Sequence, residues 1–221
     1  MALKIILLGA TGMVGEGVLH TALRDPDVTT VLVLGRRSCG VTHPKLSEIT
    51  HSDLHDISSL EKSLTGYDAC FFCLGVSSIG MSEADYRRTT YDLTMHIATT
   101  LSRLNPSMTF CYVSGEGTDG TEHGKRMWAR VKGKTENDLS RLPFKAVFNF
   151  RPGFIRPIEG MQRTLTFAKP LLYLYPFFKT ILPDHGCRLE DLGKAMLSVS
   201  RNGYERTVLE NRDIEQAARH A

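Results

Sequence analysis

The chain lacks a hydrophobic run long enough to cross a membrane. Its longest apolar stretch, residues 165–182, is interrupted by two lysines and two prolines, whereas a spanning helix needs about 20 apolar residues with few charges. We therefore expect no transmembrane segment. The stretch is interpreted either as packing or as an apolar surface that touches a membrane, a partner or an oily substrate.

An excess of one charge is also lacking. The 27 Lys and Arg residues and the 24 Asp and Glu residues give a net charge of +3. Because no basic block stands out, nucleic acid is not an expected partner. The N-terminal apolar run is too short for a secretion signal and passes directly into a glycine loop, so export is not expected.

A paired cysteine framework is absent as well. The five cysteines are an odd number, which favours a reducing compartment, and we expect a cytoplasmic protein. A length of 221 residues with 42% hydrophobic residues suits one globular unit. We predict a single domain over residues 1–221, either monomeric or homodimeric.

Short β-rich runs alternate with helical patterns along the chain. Candidate strands lie at residues 4–9, 30–34, 46–50, 69–74, 109–114, 145–150 and 207–209. Helical patterns lie at residues 14–24, 58–64, 82–104, 125–142 and 189–200. This alternation predicts an α/β fold of Rossmann type, with a doubly wound parallel sheet of about seven strands. The pattern lapses at residues 154–187, which we expect to form a small C-terminal substrate cap.

A glycine-rich loop, Gly9-Ala10-Thr11-Gly12-Met13-Val14-Gly15, joins the first strand to the first helix. Gly9 permits a tight turn, Gly12 lets the backbone approach a pyrophosphate, and Gly15 lets helix and sheet pack closely. The amides from Thr11 to Val14 would face the anion at the positive end of the helix dipole. Glycine turns also occur without ligands, but this strand-loop-helix context predicts a dinucleotide site.

The end of the second strand indicates which dinucleotide binds. NAD-binding proteins usually carry an acidic residue there, which bonds the ribose 2′-hydroxyl. This chain instead has Arg36 and Arg37 after Gly35. Their guanidinium groups could hold a 2′-phosphate through charge-assisted hydrogen bonds, although both could equally be solvated loop residues. We expect NADP(H) as the cofactor.

Two further segments are expected beside the adenosine. Asp53, followed by Leu54, either faces the adenine edge or caps a turn. Cys73-Leu74-Gly75 follows the fourth strand and is predicted to pass beside the adenine ribose.

Cys70 and Cys73 resemble a redox or metal-binding pair. Residues three apart on a strand point to opposite faces, so the two sulfur atoms cannot readily meet. We interpret both as structural thiols. Without a second Cys or His cluster, we expect no metal site.

The chain resembles the short-chain dehydrogenase/reductase superfamily over residues 2–210. The resemblance rests on the glycine loop, Ser114 at the end of the fifth strand, Lys132, and Arg151-Pro152-Gly153 after the sixth strand. The run Val-Lys-Gly-Lys-Thr-Glu at residues 131–136 is similar to the active-site helix of the superfamily. More narrowly, the chain looks like the atypical, epimerase-like NAD(P)-binding branch that includes the Tat-interacting oxidoreductase group. The resemblance implies cofactor contacts by Pro152 and Gly153.

In that superfamily a Ser, a Tyr and a Lys share the chemistry, with Tyr and Lys four residues apart on one helix face. The resemblance implies that Ser114 bonds the substrate, and that Lys132 holds the nicotinamide ribose. Trp128 stands where the family has Tyr. An indole N–H donates a hydrogen bond but does not ionise near neutral pH, so the acid–base step is in doubt.

Three other residues are weighed as proton donors: His123, Tyr86 and Tyr91. Each has a plainer interpretation, as a solvated loop histidine or as packing tyrosines. We expect an NADP(H)-binding oxidoreductase that acts on a carbonyl or a sugar nucleotide. The alternative is a non-enzymatic regulatory protein whose partner surface responds to NADP(H). A sugar-nucleotide epimerase or dehydratase would need a larger C-terminal domain.

Overall fold

A computed structural model describes residues 2–156 and 186–221. Its main sheet has seven parallel strands in the order β3-β2-β1-β4-β5-β6-β9. This order confirms the predicted Rossmann-type sheet. The strands are β1 (Leu3–Leu8), β2 (Val28–Gly35), β3 (Leu46–Thr50), β4 (Ala69–Phe72), β5 (Thr109–Val113), β6 (Ala146–Phe150) and β9 (Val208–Leu209).

Six α-helices lie in the described part of the chain: α1 (Met13–Arg24), α2 (Glu83–Arg87), α3 (Leu93–Leu104), α4 (Met127–Leu139), α5 (Leu189–Asn202) and α6 (Asn211–Ala218). A π-helical turn, Arg88–Asp92, joins α2 to α3, so the predicted helix at residues 82–104 is continuous but irregular. Ser82 begins it as an N-cap that accepts a hydrogen bond from the Asp85 amide.

The sheet is covered on both faces, because buried apolar residues of its central strands point to both sides. On β1, Ile5 and Leu7 pack in one cluster with α1, α5 and α6. Ile6 and Leu8 point the other way and pack with α3 and α4. All four side chains are fully buried, as expected of a parallel sheet between two helical layers.

The topology fixes where a ligand can enter. β1 lies between β2 and β4, and the chain leaves β1 toward β2 but returns to β4 on its other side. The strand order thus reverses direction at β1, which is called the topological switch point. In doubly wound sheets, ligands usually bind there, in the crevice outside the carboxyl ends of the strands. The loops after β1, β2, β3 and β4 meet there.

Several expected elements differ in detail. The helical pattern at residues 58–64 is a 3-10 helix, Ser58–Leu64, and the predicted strand at residues 69–74 ends at Phe72. α6 was not predicted; Glu210 and Asp213 form a capping box at its start. The helix expected at residues 125–142 is limited to α4.

The edges of the expected cap form a second, two-stranded parallel sheet from β7 (Phe154–Arg156) and β8 (Gly186–Arg188). The rest of that expected cap, with the apolar stretch at residues 165–182, lies outside the described residues.

Candidate functional site

The glycine loop is shaped by contacts that only glycine tolerates. Gly9 has a φ of +88°, and a Cβ built on it would lie 2.6 Å from the Cys73 carbonyl carbon. A Cβ on Gly15 would lie 2.1 Å from the Gly9 carbonyl oxygen. These two glycines therefore hold the loop against β4 and against itself.

Gly12 is different, because the protein leaves room for a side chain there. A Cβ on Gly12 would meet only the Gly9 carbonyl oxygen, at 3.5 Å, and Gly12 lines an open cleft. Gly12 is the N-cap of α1 and supplies no side-chain acceptor. In the described part of the chain, the amides of Met13 and Val14 have no acceptor. This cradle fits a pyrophosphate group.

The cleft beside this loop has a volume of about 300 Å³. Its lining brings together residues that follow four neighbouring strands, as the topology requires. Most of the residues predicted to contact cofactor lie here: Gly9, Thr11, Gly12, Arg36, Asp53, Leu54, Cys73, Leu74 and Gly75. The arrangement suits the adenosine and pyrophosphate part of a dinucleotide.

Only one of the two arginines after β2 lines the cleft. Arg36 is exposed and lines the cleft, whereas Arg37 is exposed but is not among the lining residues. Neither has a hydrogen bond or ion pair within the described residues. Arg36 is thus the guanidinium that can meet a ligand in the cleft.

Asp53 forms the turn that was one of its two alternatives; its predicted contact with the adenine edge stays a prediction. Its Oδ1 accepts a hydrogen bond from the His55 amide at 2.8 Å, which is an Asx-type turn. Asp53 also lines the cleft, and Leu54 beside it is buried. The turn holds the backbone so that one carboxylate oxygen remains available to a ligand.

Ser114 follows β5 and is buried, with its hydroxyl directed toward a carboxylate. Its Oγ lies 2.5 Å from Glu136 Oε1 and 3.1 Å from the Phe150 carbonyl oxygen. Glu136, on α4, is only 3% exposed and forms a two-pronged ion pair with Arg151. Arg151 also contacts Glu210, at 3.3 Å. The sequence analysis gave Glu136 no role, although its spacing from Lys132 places both on one helix face.

Lys132, on α4, lies near the backbone of Ser114. Its Nζ donates a hydrogen bond to the Ser114 carbonyl oxygen. Burial lowers the pKa of Lys132 to about 8, and the nearby Glu136 carboxylate opposes that shift only in part. The site therefore contains an amine that titrates close to neutral pH.

Trp128 lies in the first turn of α4, one helical turn before Lys132, and is half-buried. A Cβ on Gly117 would lie 3.6 Å from Cη2 of the indole, so the ring packs over the loop that follows β5. The indole N–H has no proton that ionises near neutral pH, and the predicted replacement of the family's Tyr by Trp128 stays a prediction.

The other candidate proton donors lie in different surroundings. Tyr86 is 2% exposed, and burial raises its pKa. The Tyr91 hydroxyl donates to Asp138 at 2.6 Å. His123 is exposed in the loop before α4. The packing and solvated interpretations describe these three residues better than a role in proton transfer.

The loop after β6 is joined to the loop after β5. The Pro152 carbonyl oxygen accepts from the Glu116 amide at 3.0 Å, and the Gly153 amide donates to Asn211 Oδ1 at 2.9 Å. Neither Pro152 nor Gly153 lines the 300 Å³ cleft. Their predicted contact with cofactor stays a prediction.

Five cleft residues were missed by the sequence analysis, since they lie on loops or on the irregular helix: Ser52, His55, Val76, Thr89 and Leu93. The π-helical turn after α2 is the feature that brings Thr89 to the cleft, and no sequence signal marked it.

The structure separates the two cysteines considered for metal binding. Cys70 packs in the cluster with α3 and α4, while Cys73 packs against the opposite cluster. Among residues 2–156 and 186–221, no group of His, Cys, Asp and Glu side chains could hold a metal ion. In the same residues, no helix is long and apolar enough to span a membrane.

The fold and the glycine cradle are typical of dinucleotide-binding proteins of the short-chain dehydrogenase/reductase type. Residues 5–132 match the sequence profile of the NAD dependent epimerase/dehydratase family. The chain belongs to this family, as the resemblance in the sequence indicated.

Two curated relatives extend the comparison. "Protein fmp52, mitochondrial" of Emericella nidulans is 28% identical over 174 residues, which cover 72% of this chain and 73% of that protein. "Protein HTATIP2" of Rattus norvegicus is 24% identical over 169 residues, which cover 72% of this chain and 69% of that protein.

Two solved structures share the fold. The Bordetella bronchiseptica enzyme WbmF in complex with NAD+ has a TM-score of 0.67 and 15% identity, covering 97% of this chain and 76% of that one. Carbonyl reductase Sniffer of D. melanogaster has a TM-score of 0.65 and 12% identity, covering 96% and 98%.

The expected cytoplasmic location is corrected by these relatives. The fmp52 proteins of E. nidulans, Aspergillus oryzae and Scheffersomyces stipitis are all named mitochondrial. Unpaired cysteines indicate only that a compartment is reducing. That criterion could not separate one reducing compartment from another, which is why the prediction was wrong.

Proposed function

We propose that this chain is an NADP(H)-binding oxidoreductase with a weakened proton-transfer step, acting on a carbonyl compound. The observation that carries the cofactor choice is that Arg36 lines the same cleft as Gly9 and Gly12. A hydrogen bond to a charged group is worth about 1.5–3 kcal/mol. Arg36 therefore favours the 2′-phosphate of NADP(H) over the 2′-hydroxyl of NAD(H).

Different residues around the cleft bind different parts of the cofactor. The amides of Thr11, Met13 and Val14 bind the pyrophosphate, whereas the Gly12 amide donates to the Gly9 carbonyl oxygen at 2.9 Å. Asp53 and Leu54 border the adenine, and residues 73–75 border its ribose. Lys132 holds the second ribose, next to the loop of Pro152 and Gly153. The bound nicotinamide supplies or accepts a hydride.

The proton must come from a group other than residue 128. Because Trp128 does not ionise near neutral pH, the Ser114 hydroxyl and the Lys132 amine are the remaining polar groups of the predicted triad. Positioned proton transfer contributes about 100-fold to 10,000-fold to a rate. A slow enzyme is the expected consequence.

A carbonyl compound is the first class of acceptor to test. The fold is shared with a structure titled carbonyl reductase, of which this chain covers 98%.

A non-enzymatic NADP(H)-responsive regulator is the second candidate. Two observations favour it: Trp128 replaces the phenol, and the Ser114 hydroxyl donates inward to Glu136 rather than being free for a substrate. Such a protein would keep the cofactor cradle while two of the three catalytic functions are absent or engaged elsewhere.

NADPH oxidation with a panel of aldehydes, ketones and quinones separates the two candidates. We expect slow turnover by the wild type and faster turnover by Trp128→Tyr, which restores a phenol four residues before Lys132. Lys132→Ala should abolish the gain in the Trp128→Tyr background. If both proteins bind NADPH and neither turns over any substrate, the oxidoreductase proposal is wrong and the regulator is supported.

A further inference from the structure

The loop that carries Arg36 and Arg37 is fixed at both ends. At its start, the Gly35 carbonyl oxygen accepts a hydrogen bond from the His51 amide at 2.9 Å. At its end, the Cys39 amide donates to Glu48 Oε1 at 3.2 Å, and the Cys39 thiol lies 2.5 Å from the same oxygen. Residues 36–38 therefore span two points that are both anchored on or beside β3.

The second anchor depends on one acceptor oxygen of Glu48. Burial opposes ionisation, but hydrogen bonds from the Cys39 thiol and the Ser38 hydroxyl outweigh it and lower the pKa of Glu48. Ser38 Oγ in turn accepts from the Gly40 amide at 3.1 Å. One side chain on β3 thus organises the backbone of residues 38–40.

Cys39 adds a packing constraint to this polar one. It is 6% exposed and belongs to the same buried cluster as Val31 and Val33 of β2. Burial and the neighbouring Glu48 raise the pKa of its thiol, which keeps it a hydrogen-bond donor. The loop accordingly folds back onto the sheet immediately after the arginines, and this sets the direction in which their backbone leaves β2.

The arginine side chains have no such anchors. Arg36 and Arg37 are exposed and have no partner within the described residues. Glu48 forms no ion pair with either of them there and does not line the cleft. The Glu48 carboxylate therefore does not neutralise Arg36, whose charge remains available to a ligand. The same carboxylate holds the backbone of the loop that carries Arg36.

We propose that Glu48 is a positioning residue for cofactor choice: by holding Ser38 and Cys39, it directs Arg36 into the cleft where a 2′-phosphate would lie. This inference rests on the proposed NADP(H) preference. Glu48 touches no cofactor atom and acts only through the loop. Its loss should weaken the binding of a 2′-phosphorylated cofactor and leave the binding of NAD(H) unchanged.

The test is the ratio of the dissociation constants of NADH and NADPH, measured by fluorescence titration on the full chain. The variants are Glu48→Ala, Glu48→Gln, Cys39→Ala and Arg36→Ala, with Glu61→Ala as a matched control on an exposed ion pair. We expect Glu48→Ala to lower the ratio by about tenfold, the effect of losing roughly 1.4 kcal/mol. Glu48→Gln, which keeps an acceptor oxygen, should retain most of the ratio.

Combining Glu48→Ala with Arg36→Ala adds a second criterion. If Glu48 acts through Arg36, the double variant has the same ratio as Arg36→Ala alone. Unchanged NADH affinity in each variant shows that the site remains folded.

The two proposals fail in different ways. A wild-type ratio near one overturns the NADP(H) preference, and this inference with it. A high ratio that Arg36→Ala lowers, but Glu48→Ala does not, overturns the role of Glu48 alone. Equal weakening of NADH and NADPH by Glu48→Ala also overturns it, since Glu48 would then be merely structural.

Discussion

The Ser114 hydroxyl donates a hydrogen bond to the Glu136 carboxylate, with 2.5 Å between Oγ and Oε1. A hydroxyl carries one proton, so in this arrangement Ser114 offers only lone pairs to any bound group. A ligand that meets Ser114 here must itself be a hydrogen-bond donor. The buried ion pair of Glu136 with Arg151 maintains this arrangement.

Removing the charge of Glu136 should destabilise the fold. We expect Glu136→Gln to lower the free energy of unfolding by about 3 kcal/mol, the lower end of the usual range for a broken buried pair. Glu210, which contacts Arg151 at 3.3 Å, compensates part of the loss. Urea denaturation measures the change.

Two companion variants make that result specific. Glu136→Gln combined with Arg151→Met removes both charges and should be less destabilised than Glu136→Gln alone. Glu61→Gln breaks an exposed pair with Arg103 and should cost less than about 1 kcal/mol. A loss of the same small size at Glu136 would contradict the buried network.

The glycine loop allows packing and binding roles to be separated. Gly12→Ala should leave stability nearly unchanged, because the added Cβ meets only the Gly9 oxygen at 3.5 Å. It should weaken NADPH binding severely, since the methyl group enters the space for the pyrophosphate. Thermal denaturation and NADPH titration on one preparation test both parts.

Gly15→Ala is the matched variant with the opposite outcome. Its Cβ would lie 2.1 Å from the Gly9 oxygen, and overpacking of this kind lowers the free energy of unfolding by about 1–3 kcal/mol or more.

The outcome that would contradict the binding role concerns Gly12→Ala. If this variant binds NADPH as tightly as the wild type, the loop does not bind pyrophosphate.

Lys132 should give stability an unusual pH dependence. Its pKa is about 8 in the folded protein and near 10.4 when unfolded, so the unfolded state binds more protons between these values. The contribution of Lys132 to the free energy of unfolding therefore rises as the pH increases from about 8 to 10.5. Below pH 8, the partly buried ammonium group is a destabilising feature.

Lys132→Met measures this effect directly. The variant should have a larger free energy of unfolding than the wild type. This difference should be largest at pH 7 and smaller at pH 10. Lys134→Met is the control, because an ion pair with Asp138 raises the pKa of Lys134, and its removal should give no gain at pH 7. A difference between Lys132→Met and wild type that does not vary with pH would contradict the partly buried, titrating amine.

The sequence predicted the fold well because its signals are local and repeated. Apolar strands followed by amphipathic helices, together with the loop from Gly9 to Gly15, are enough to specify a doubly wound sheet and its ligand edge. Shorter or irregular elements were missed. The π-helical turn at Arg88–Asp92 has 5 residues and the helix at Asn211–Ala218 has 8. Helices this short depend on tertiary packing for their stability.

Several residues predicted to bind cofactor line one cleft, and their contact with cofactor stays a prediction. Arg36, Asp53 and residues 73–75 reach a common cleft because parallel strands end at the same edge. Glu136 and Glu48 were not anticipated, since a carboxylate on a helix or edge strand is usually solvated. Their roles depend on Arg151 and Cys39, which are distant from them in sequence or lie on another element.

The most direct test of this account is calorimetric titration of the wild type and of Arg36→Ala with NADPH and NADH. The account predicts that NADPH binds the wild type about tenfold or more tightly than NADH, as one charge-assisted contact provides. Arg36→Ala should remove most of that difference and leave NADH affinity unchanged. Equal wild-type affinities, or no binding of either cofactor, would contradict the account.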